Sequence, residues 1–531
     1  MKKSLYLIIS LLGVAFTLKA AGFELTADRK LQYAEGIIST YYVDDVNRDT
    51  IVDEAIKAML KTLDPHSLYT SPEETREFTE PLTGNFSGIG IQFNIATTDT
   101  LYVIQTIAGG PSEKVGILPG DRIIEVNDTL IAGVKMKNSE VMKRLRGPKG
   151  TTVNVKVLRH GVDKLIDFSI TRDDIPIYSI DAAYMADPET GYIRISQFAE
   201  KTPKEFDEAL DKLRKQGMKN LIIDLQDNGG GYLNAATELA NHFLKKGDLI
   251  VYTEALRTPS FSHKAEKDGD FTKGRVVVLV NNYSASASEI LSGALQDHDR
   301  GVIVGRRTFG KGLVQRPFPF PDGSMIRLTI SRYHTPSGRC IQKPYTKGDL
   351  DDYHSDMKHR FESGELMHSD SIHLPDSLKF ITLKTHRPVY GGGGIMPDKF
   401  VPLDTMWYTP YYRDVLAKGI IYKWALSYMD AHRGELSATY PTEVEFAEKF
   451  EVSPEIMQQV IDRATDEGIT YDEEQYAKSS TYMKSLLKAL LARDLFENGS
   501  YFRIMNELNP IYVEGLRLIN QPKEYNELLN R

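Results

Sequence analysis

Apolar positions along the chain change their period several times, and each change predicts a different kind of element. From Tyr33 to Ser71 the period is helical. Ile51, Val52, Ala55, Ile56, Met59, Leu60 and Leu63 fall on one face, Thr50 reads as the cap, and LDPHS (63–67) ends the helix. From about Phe86 to Arg172 the pattern turns to short strands and glycine turns. FSGIGIQF (86–93), LYVIQTI (101–107) and TTVNVKVL (151–158) predict strands and NSEVMKRLRG (138–147) a short helix, which makes a small β-rich module.

A third block, about 174–345, alternates strand and helix. GYIRISQF (191–198), NLIIDL (220–225) and RVVVLV (275–280) predict strands, the last two apolar almost throughout. Thr202-Pro203-Lys204-Glu205 reads as a capping box with proline at the first helical position, and Gly217 ends that helix. Continuous apolar strands separated by helices predict a mainly parallel, covered sheet. Residues 345–387, rich in Lys, Asp, His and Ser, have weak periodicity and read as an insertion or long surface loop. Beyond about 405 the chain is largely helical, with an apolar stripe in YMKSLLKALLARDLF (482–496).

Composition adds boundaries to this picture. The 531 residues can hold roughly three or four domains, and 41% hydrophobic residues supply several cores. A net charge of −8 argues against a general nucleic-acid binder. Lys2 and Lys3 precede the apolar run 5–18, and small residues follow at Ala20–Gly22, the order of a secretory signal peptide. The run is shorter than the roughly 20 residues that a span needs, and a retained N-terminal anchor is the alternative reading. Either way the body of the protein is expected to be exported. Cys340 is the single cysteine, so no intramolecular disulfide forms, and its context SGRCIQ reads as structural.

Three stretches carry candidate chemistry. In NNYSASASEILSGALQD (281–297), Ser286 falls at the turn from a strand into a helix. Ser286-x-x-Glu289 is a good capping box, a purely structural role. Small residues at such a turn also suit a nucleophile, because a substrate carbonyl can approach and the helix N-terminus favours developing negative charge. DLQDNGGG (224–231) is a second strand end, whose N–H groups can form an anion nest for phosphate or oxyanion alike. GRRTFGKGLVQ (305–315) nearly matches a phosphate-binding loop, but Gly312 stands where a hydroxyl should hold magnesium. Pro317, Pro319 and Pro321 follow, so the helix that such a loop needs is absent and no nucleotide is expected. A solvated surface lysine also fits poorly between VIVG and LVQRPFPF.

SASASE, GRRTFGKGLVQ, DGSMIRLTISRYHTPSGRCIQ and GGGGIMPD (391–398) occur in that order, preceded by LDPHS, FSGIGI, AGGPSEKVGILPGDRIIEVND and LRGPKGTTV. This ordered set, over roughly 33–405, resembles the carboxy-terminal processing peptidases, also called tail-specific proteases. The resemblance implies a multidomain α/β fold: a crotonase/ClpP-like protease core, an inserted PDZ domain and helical N- and C-terminal regions. Its divisions are a signal peptide (1–22), an N-terminal helical region (23–80), the PDZ domain (81–173), the core (174–404) and a C-terminal helical region (405–531).

The resemblance further implies a serine endopeptidase with Ser286 as nucleophile, Lys311 as general base and Gln315 orienting the lysine. The N–H of Ala287 and of one glycine among residues 229–231, Gly230 first, would form the oxyanion hole. Gln226 stands where many members have arginine, which puts the geometry of that loop in question. A lysine acts as base only when neutral, which near neutral pH requires its pKa to fall roughly three units from about 10.4. Desolvation is the plausible source, so Lys311 is expected to be buried and to lack a carboxylate partner. A histidine base, with His298 and His334 among the candidates, stays open.

In the PDZ-like stretch, Ser87, Gly88, Ile89 and Gly90 would bind a terminal carboxylate. Ile91 and Phe93 would lie on the edge strand that pairs with an extended tail. Their apolar side chains favour protein or peptide substrates with apolar C-termini. No cofactor, nucleotide, nucleic acid or metal is expected, since no H-E-x-x-H or cysteine–histidine ligand spacing occurs. The expected location is periplasmic, associated with the inner membrane if the signal segment is retained, and the terminal helices are candidates for a homo-oligomer contact. The rival reading is a PDZ scaffold that binds tails without cutting them.

Overall fold

Five successive apolar residues, Val276–Val280, are all buried, which requires cover on both faces of their sheet. In the computed structural model, which describes residues 26–95 and 99–530, that cover is present. The signal-like segment lies outside the described residues. Six strands stand in chain order across the sheet: β1 (Ile180–Met185), β2 (Thr190–Ile195), β3 (Asn220–Asp224), β4 (Val276–Val280), β5 (Val302–Gly305) and β6 (Lys399–Phe400). Every neighbouring pair is parallel except the antiparallel edge pair β1–β2.

Alternation sends Val276, Val278 and Val280 to one face, where they meet α1 (Thr202–Lys215), α2 (Leu233–Asn241) and α3 (Ala287–Asp297). Val277 and Leu279 point to the other face, against Ile511, Tyr512 and Leu518 of the C-terminal helices. At the start of α1 the expected capping box is not used. The cap position is Lys201, while the Thr202 hydroxyl donates to Ser179 Oγ (2.7 Å) and Glu205 accepts both the N–H and the hydroxyl of Ser179. A buried serine beside the edge strand has claimed both groups.

The chain divides into two bodies, and all of the above lies in the second. In the first, which runs to Pro72 and includes Pro317–Leu328 and Tyr345–Tyr353, helices Ala27–Tyr41 and Arg48–Lys61 are followed by strand Leu68–Thr70. The cap of the second helix is Asn47, not Thr50, since the Asn47 side chain accepts the Thr50 N–H at 3.1 Å. Of the expected apolar face only Leu60 is buried, while Val52, Met59 and Leu63 are exposed.

The β-rich module of the second body is an antiparallel sheet of Ile91–Asn94, Leu101–Thr106, Arg122–Val126, Thr152–Leu158 and Ile166–Thr171, with Thr129–Leu130 at its side. It closes around Val103, Ile123, Val153 and Ile170, with the short helix at Asn138–Leu145. C-terminal helices grip this module: Gln105 Nε2 donates to the carbonyls of Arg493 (2.7 Å) and Phe496 (3.1 Å), and Arg122 pairs with Asp430.

Two sequence expectations change here. Residues 345–387 are not a plain surface loop: they include α4 (Leu350–Glu362) and bury Arg360, Glu365 and Leu366. The stripe in 482–496 is not an outer face, because Met483, Leu487, Leu490 and Leu491 pack inside the chain against residues such as Phe446 and Val460. Those side chains are used within one chain, so a homo-oligomer contact through the terminal helices would draw on other positions. Leu490→Ala is expected to cost about 2–5 kcal/mol in denaturant unfolding, independent of protein concentration. A concentration-dependent loss would return the stripe to an interface.

Candidate active site

The carboxyl ends of β3 and β4, adjacent parallel strands, carry the two loops that hold most of the candidate residues. The loops are laced together. Ser284 Oγ donates to the Leu225 carbonyl (2.7 Å), and the Asn228 carbonyl accepts both the Ala285 N–H and the Ser288 hydroxyl (2.9 Å each). Gln226, where the family pattern has arginine, has a guanidinium from another strand beside it. Arg194, from β2, donates to Asp224 Oδ2 (2.8 Å) and to the Gln226 carbonyl (3.0 Å), and its guanidinium stacks on Phe502 at 4.7 Å. The departure from the family pattern thus leaves the loop supported.

Ser286 has φ 56° and ψ −112°, a conformation that costs energy for a side-chain-bearing residue. Its surroundings hold it there. Glu289 Oε2 accepts its N–H at 2.8 Å, and its carbonyl accepts the hydroxyl of buried Tyr333 at 3.2 Å. The structure brings Gly230 directly against it: a Cβ on Gly230 would stand 2.7 Å from Ser286 Cβ and 2.9 Å from the Ala287 nitrogen, and its φ is 103°. Gly231 instead abuts the Phe198 main chain, and nothing stands within 4 Å of a Cβ on Gly229. Ala287 opens α3, and its N–H has no main-chain acceptor among the described residues. The Gly230 N–H is turned to Asn228 Oδ1 at 2.8 Å.

Glu289 is fully buried and joins this turn to the lysine loop. Its Oε1 accepts from Thr308 Oγ1 (2.5 Å) and the Gly310 N–H (2.7 Å), and its Oε2 accepts from the N–H groups of Ser286 (2.8 Å) and Lys311 (2.9 Å). Burial raises its carboxyl above the ordinary 4.5, and these hydrogen bonds work against that rise. Sequence reading gave Glu289 only a capping role. The S-x-x-E spacing was its one visible signal, and the link to Thr308–Lys311 exists only through space.

Beyond Lys311 the chain enters the strand Leu313–Pro319, not a helix. Lys311 Nζ donates to Gln315 Oε1 at 2.9 Å. Lys311 is half-buried, not enclosed as expected. The two named histidines serve elsewhere. His298 lies past the far end of α3, about 18 Å from its start, with Nε2 on the Leu249 carbonyl at 2.7 Å. His334 follows Tyr333 on its strand and so faces the other side, with Nδ1 at 3.1 Å from the Gly338 carbonyl.

A groove of about 380 Å³ runs along Ile91–Asn94 in the PDZ-like module. Ile89, Gly90, Ile91 and Phe93 line it, together with Phe86, Ile104, Met142, Leu145 and Arg146. Ser87 and Gly88 do not line it. They belong to the strand Asn85–Gly88, which pairs with Asp173–Pro176, and the Ser87 hydroxyl donates to Asp174 at 3.1 Å. Met142 and Leu145 were missed, although their three-residue spacing in NSEVMKRLRG marks one helix face.

The chain is similar to known proteins over much of its length. Peptidase family S41 matches residues 189–351, the PDZ domain family 87–170, and a family of unknown function 411–497. Carboxy-terminal processing protease CtpA of Bacillus subtilis is 38% identical over 345 residues, covering 63% of this chain and 73% of its own length. The carboxy-terminal-processing protease of Bartonella bacilliformis is 36% identical over 310 residues, 57% of this chain and 70% of its own. A solved photosystem II D1 C-terminal processing protease is 28% identical, covers 60% of this chain and 91% of its own, and gives a TM-score of 0.34.

Glu289→Gln turns an N–H₂ group toward donors that now meet oxygen. Each unmet donor is expected to cost about 1–3 kcal/mol, read as a lower melting temperature. The wild-type carboxyl has a raised folded-state pKa, so its contribution to stability falls as pH rises from the ordinary 4.5 through the raised value. The glutamine variant is expected to lack that step in a melting series across pH.

Proposed function

Because this chain belongs to the carboxy-terminal processing peptidases of family S41, we propose that it is an exported serine endopeptidase that reads apolar C-terminal tails in its PDZ groove. Ser286 is the nucleophile and Lys311 the general base. One observation carries this reading: a single oxygen, Glu289 Oε2, accepts the main-chain N–H of both residues and so makes them neighbours.

The chemistry follows from that placement. The neutral Lys311 amine takes the Ser286 hydroxyl proton as Oγ attacks the substrate carbonyl. The new oxyanion faces the Ala287 N–H at the positive end of α3. Gly230 supplies a second N–H once it leaves Asn228 Oδ1. Collapse expels the new amine, which takes the proton from Lys311 and leaves an acyl-enzyme; water then repeats the sequence. Gln315 accepts one amine N–H and offers no formal negative charge, so it directs the lone pair without adding a carboxylate that would hold the proton. Bound substrate covers the exposed side of the amine and completes its desolvation. Export rests on the Lys2–Gly22 segment, and a periplasmic location follows from it.

The test is digestion of an unstructured protein with an apolar tail. Ser286→Ala and Lys311→Ala are expected to lower kcat by about a thousandfold or more, with Gln315→Leu intermediate. Replacing the tail by acidic residues is expected to raise KM. Equal cleavage by wild type and both alanine variants overturns the dyad, and no cleavage by any of the three points to a tail-binding scaffold.

A further inference from the structure

Residues 306–312 form no regular structure, so the lysine loop depends on partners outside itself. Glu289 binds its donor side, at Thr308 Oγ1 and the N–H groups of Gly310 and Lys311. The acceptor side is held by a residue from the polar insertion. Arg360, on α4, donates Nη2 to the Arg307 carbonyl (2.7 Å) and Nη1 to the Thr308 carbonyl (3.1 Å). Its Nε meets Glu365 Oε1 at 2.7 Å, and Glu365 in turn takes both Nε (2.8 Å) and Nη2 (2.6 Å) of Arg307. Arg360 is 3% exposed and Glu365 7%. These two residues lie beyond the stretch matched by the S41 family, which ends at 351.

We propose that Arg360 is a positioning residue for the Lys311 base, and that the insertion serves as a clasp on the lysine loop. This inference rests on the Ser286–Lys311 reading above. A guanidinium has the planar fork needed to span two successive carbonyls while facing a carboxylate, and a lysine ammonium, a single point on a flexible stem, does not. With the fork removed, the main chain at Arg307–Thr308 loses its outer hold. Thr308 and Gly310 then shift on Glu289, and the Lys311 amine leaves its line with Ser286. A displacement of about 1 Å at a reacting group is enough to cost about a hundredfold in rate.

Arg360→Lys keeps the charge beside Glu365 and removes the fork, so it is the decisive variant. The readout is the rate at which a fluorophosphonate reagent phosphonylates the full-length protein across pH, the serine oxygen displacing fluoride from phosphorus, with melting temperature and binding of an apolar-tailed peptide measured in parallel. Ser286→Ala and the exposed-site variant Lys358→Ala serve as controls. Arg360→Lys is expected to be phosphonylated about ten- to a hundredfold more slowly than wild type, with the pH midpoint of labelling displaced. Peptide affinity is expected to stay close to wild type, and melting to fall with the lost carbonyl bonds while the variant remains folded at the assay temperature; every property of Lys358→Ala is expected to match wild type. Wild-type rate and midpoint in Arg360→Lys overturn the proposal. So does a variant that fails to fold, or that loses labelling only in step with its unfolded fraction, because the arginine would then hold the fold and not the base. Labelling that persists in Ser286→Ala instead overturns the underlying nucleophile assignment, so the two failures are told apart.

Discussion

The Glu289 carboxylate is the interaction on which the rest of the site depends. Enclosing it without partners would be unfavourable enough to neutralise it. Four donors prevent that, and they come from two separated stretches, Ser286 on one side and Thr308, Gly310 and Lys311 on the other. The cost of burying charge therefore becomes a geometric constraint: the helix start and the lysine loop share one acceptor and cannot drift apart. The strained backbone of Ser286 persists for the same reason, since its N–H has a fixed destination.

Legibility in the sequence tracked how local each interaction is. NLIIDL and RVVVLV could be placed because a strand buried on both faces must be apolar almost throughout. SASASE presented two readings, cap and nucleophile turn, and they are compatible: Glu289 meets the Ser286 N–H, as a capping box requires, and that bond does not use the Ser286 hydroxyl. What remained hidden was the other half of that carboxylate's partners. The insertion was hidden for a different reason. Its buried members, Arg360 and Glu365, are charged and satisfy one another, so a hydropathy pattern reads them as surface. Asn47 was overlooked as a cap because Thr50, three residues on, has the same preference.

Gln226 illustrates how a motif departure can be harmless. Arg194, from the neighbouring strand, places a cation beside Asp224 and a donor on the Gln226 carbonyl. Phe502 covers that guanidinium from the C-terminal region, while Ile511 and Tyr512 cover the sheet beneath. The same region holds the PDZ-like module through Gln105 and Arg122. One set of helices thus shields the strand ends that carry the candidate chemistry and fixes the module that carries the candidate peptide groove.

Two parts of the proposed mechanism are incomplete in this arrangement, and one event completes both. Lys311 is half-buried, and the Gly230 N–H is turned to Asn228. An extended substrate laid across the strand ends removes water from the amine and presents an oxygen that competes with Asn228 Oδ1. The amine becomes a better base as it is covered, because desolvation disfavours its charged form. The second oxyanion donor is released where negative charge develops, which makes that interaction stronger in the transition state than in the ground state. Contacts far from the scissile bond, including a tail held in the PDZ groove, then raise kcat as well as lowering KM. A short peptide that fills the Ser286 cleft alone leaves the lysine partly hydrated, so on this reading a poor rate with small substrates is a consequence of the site's construction.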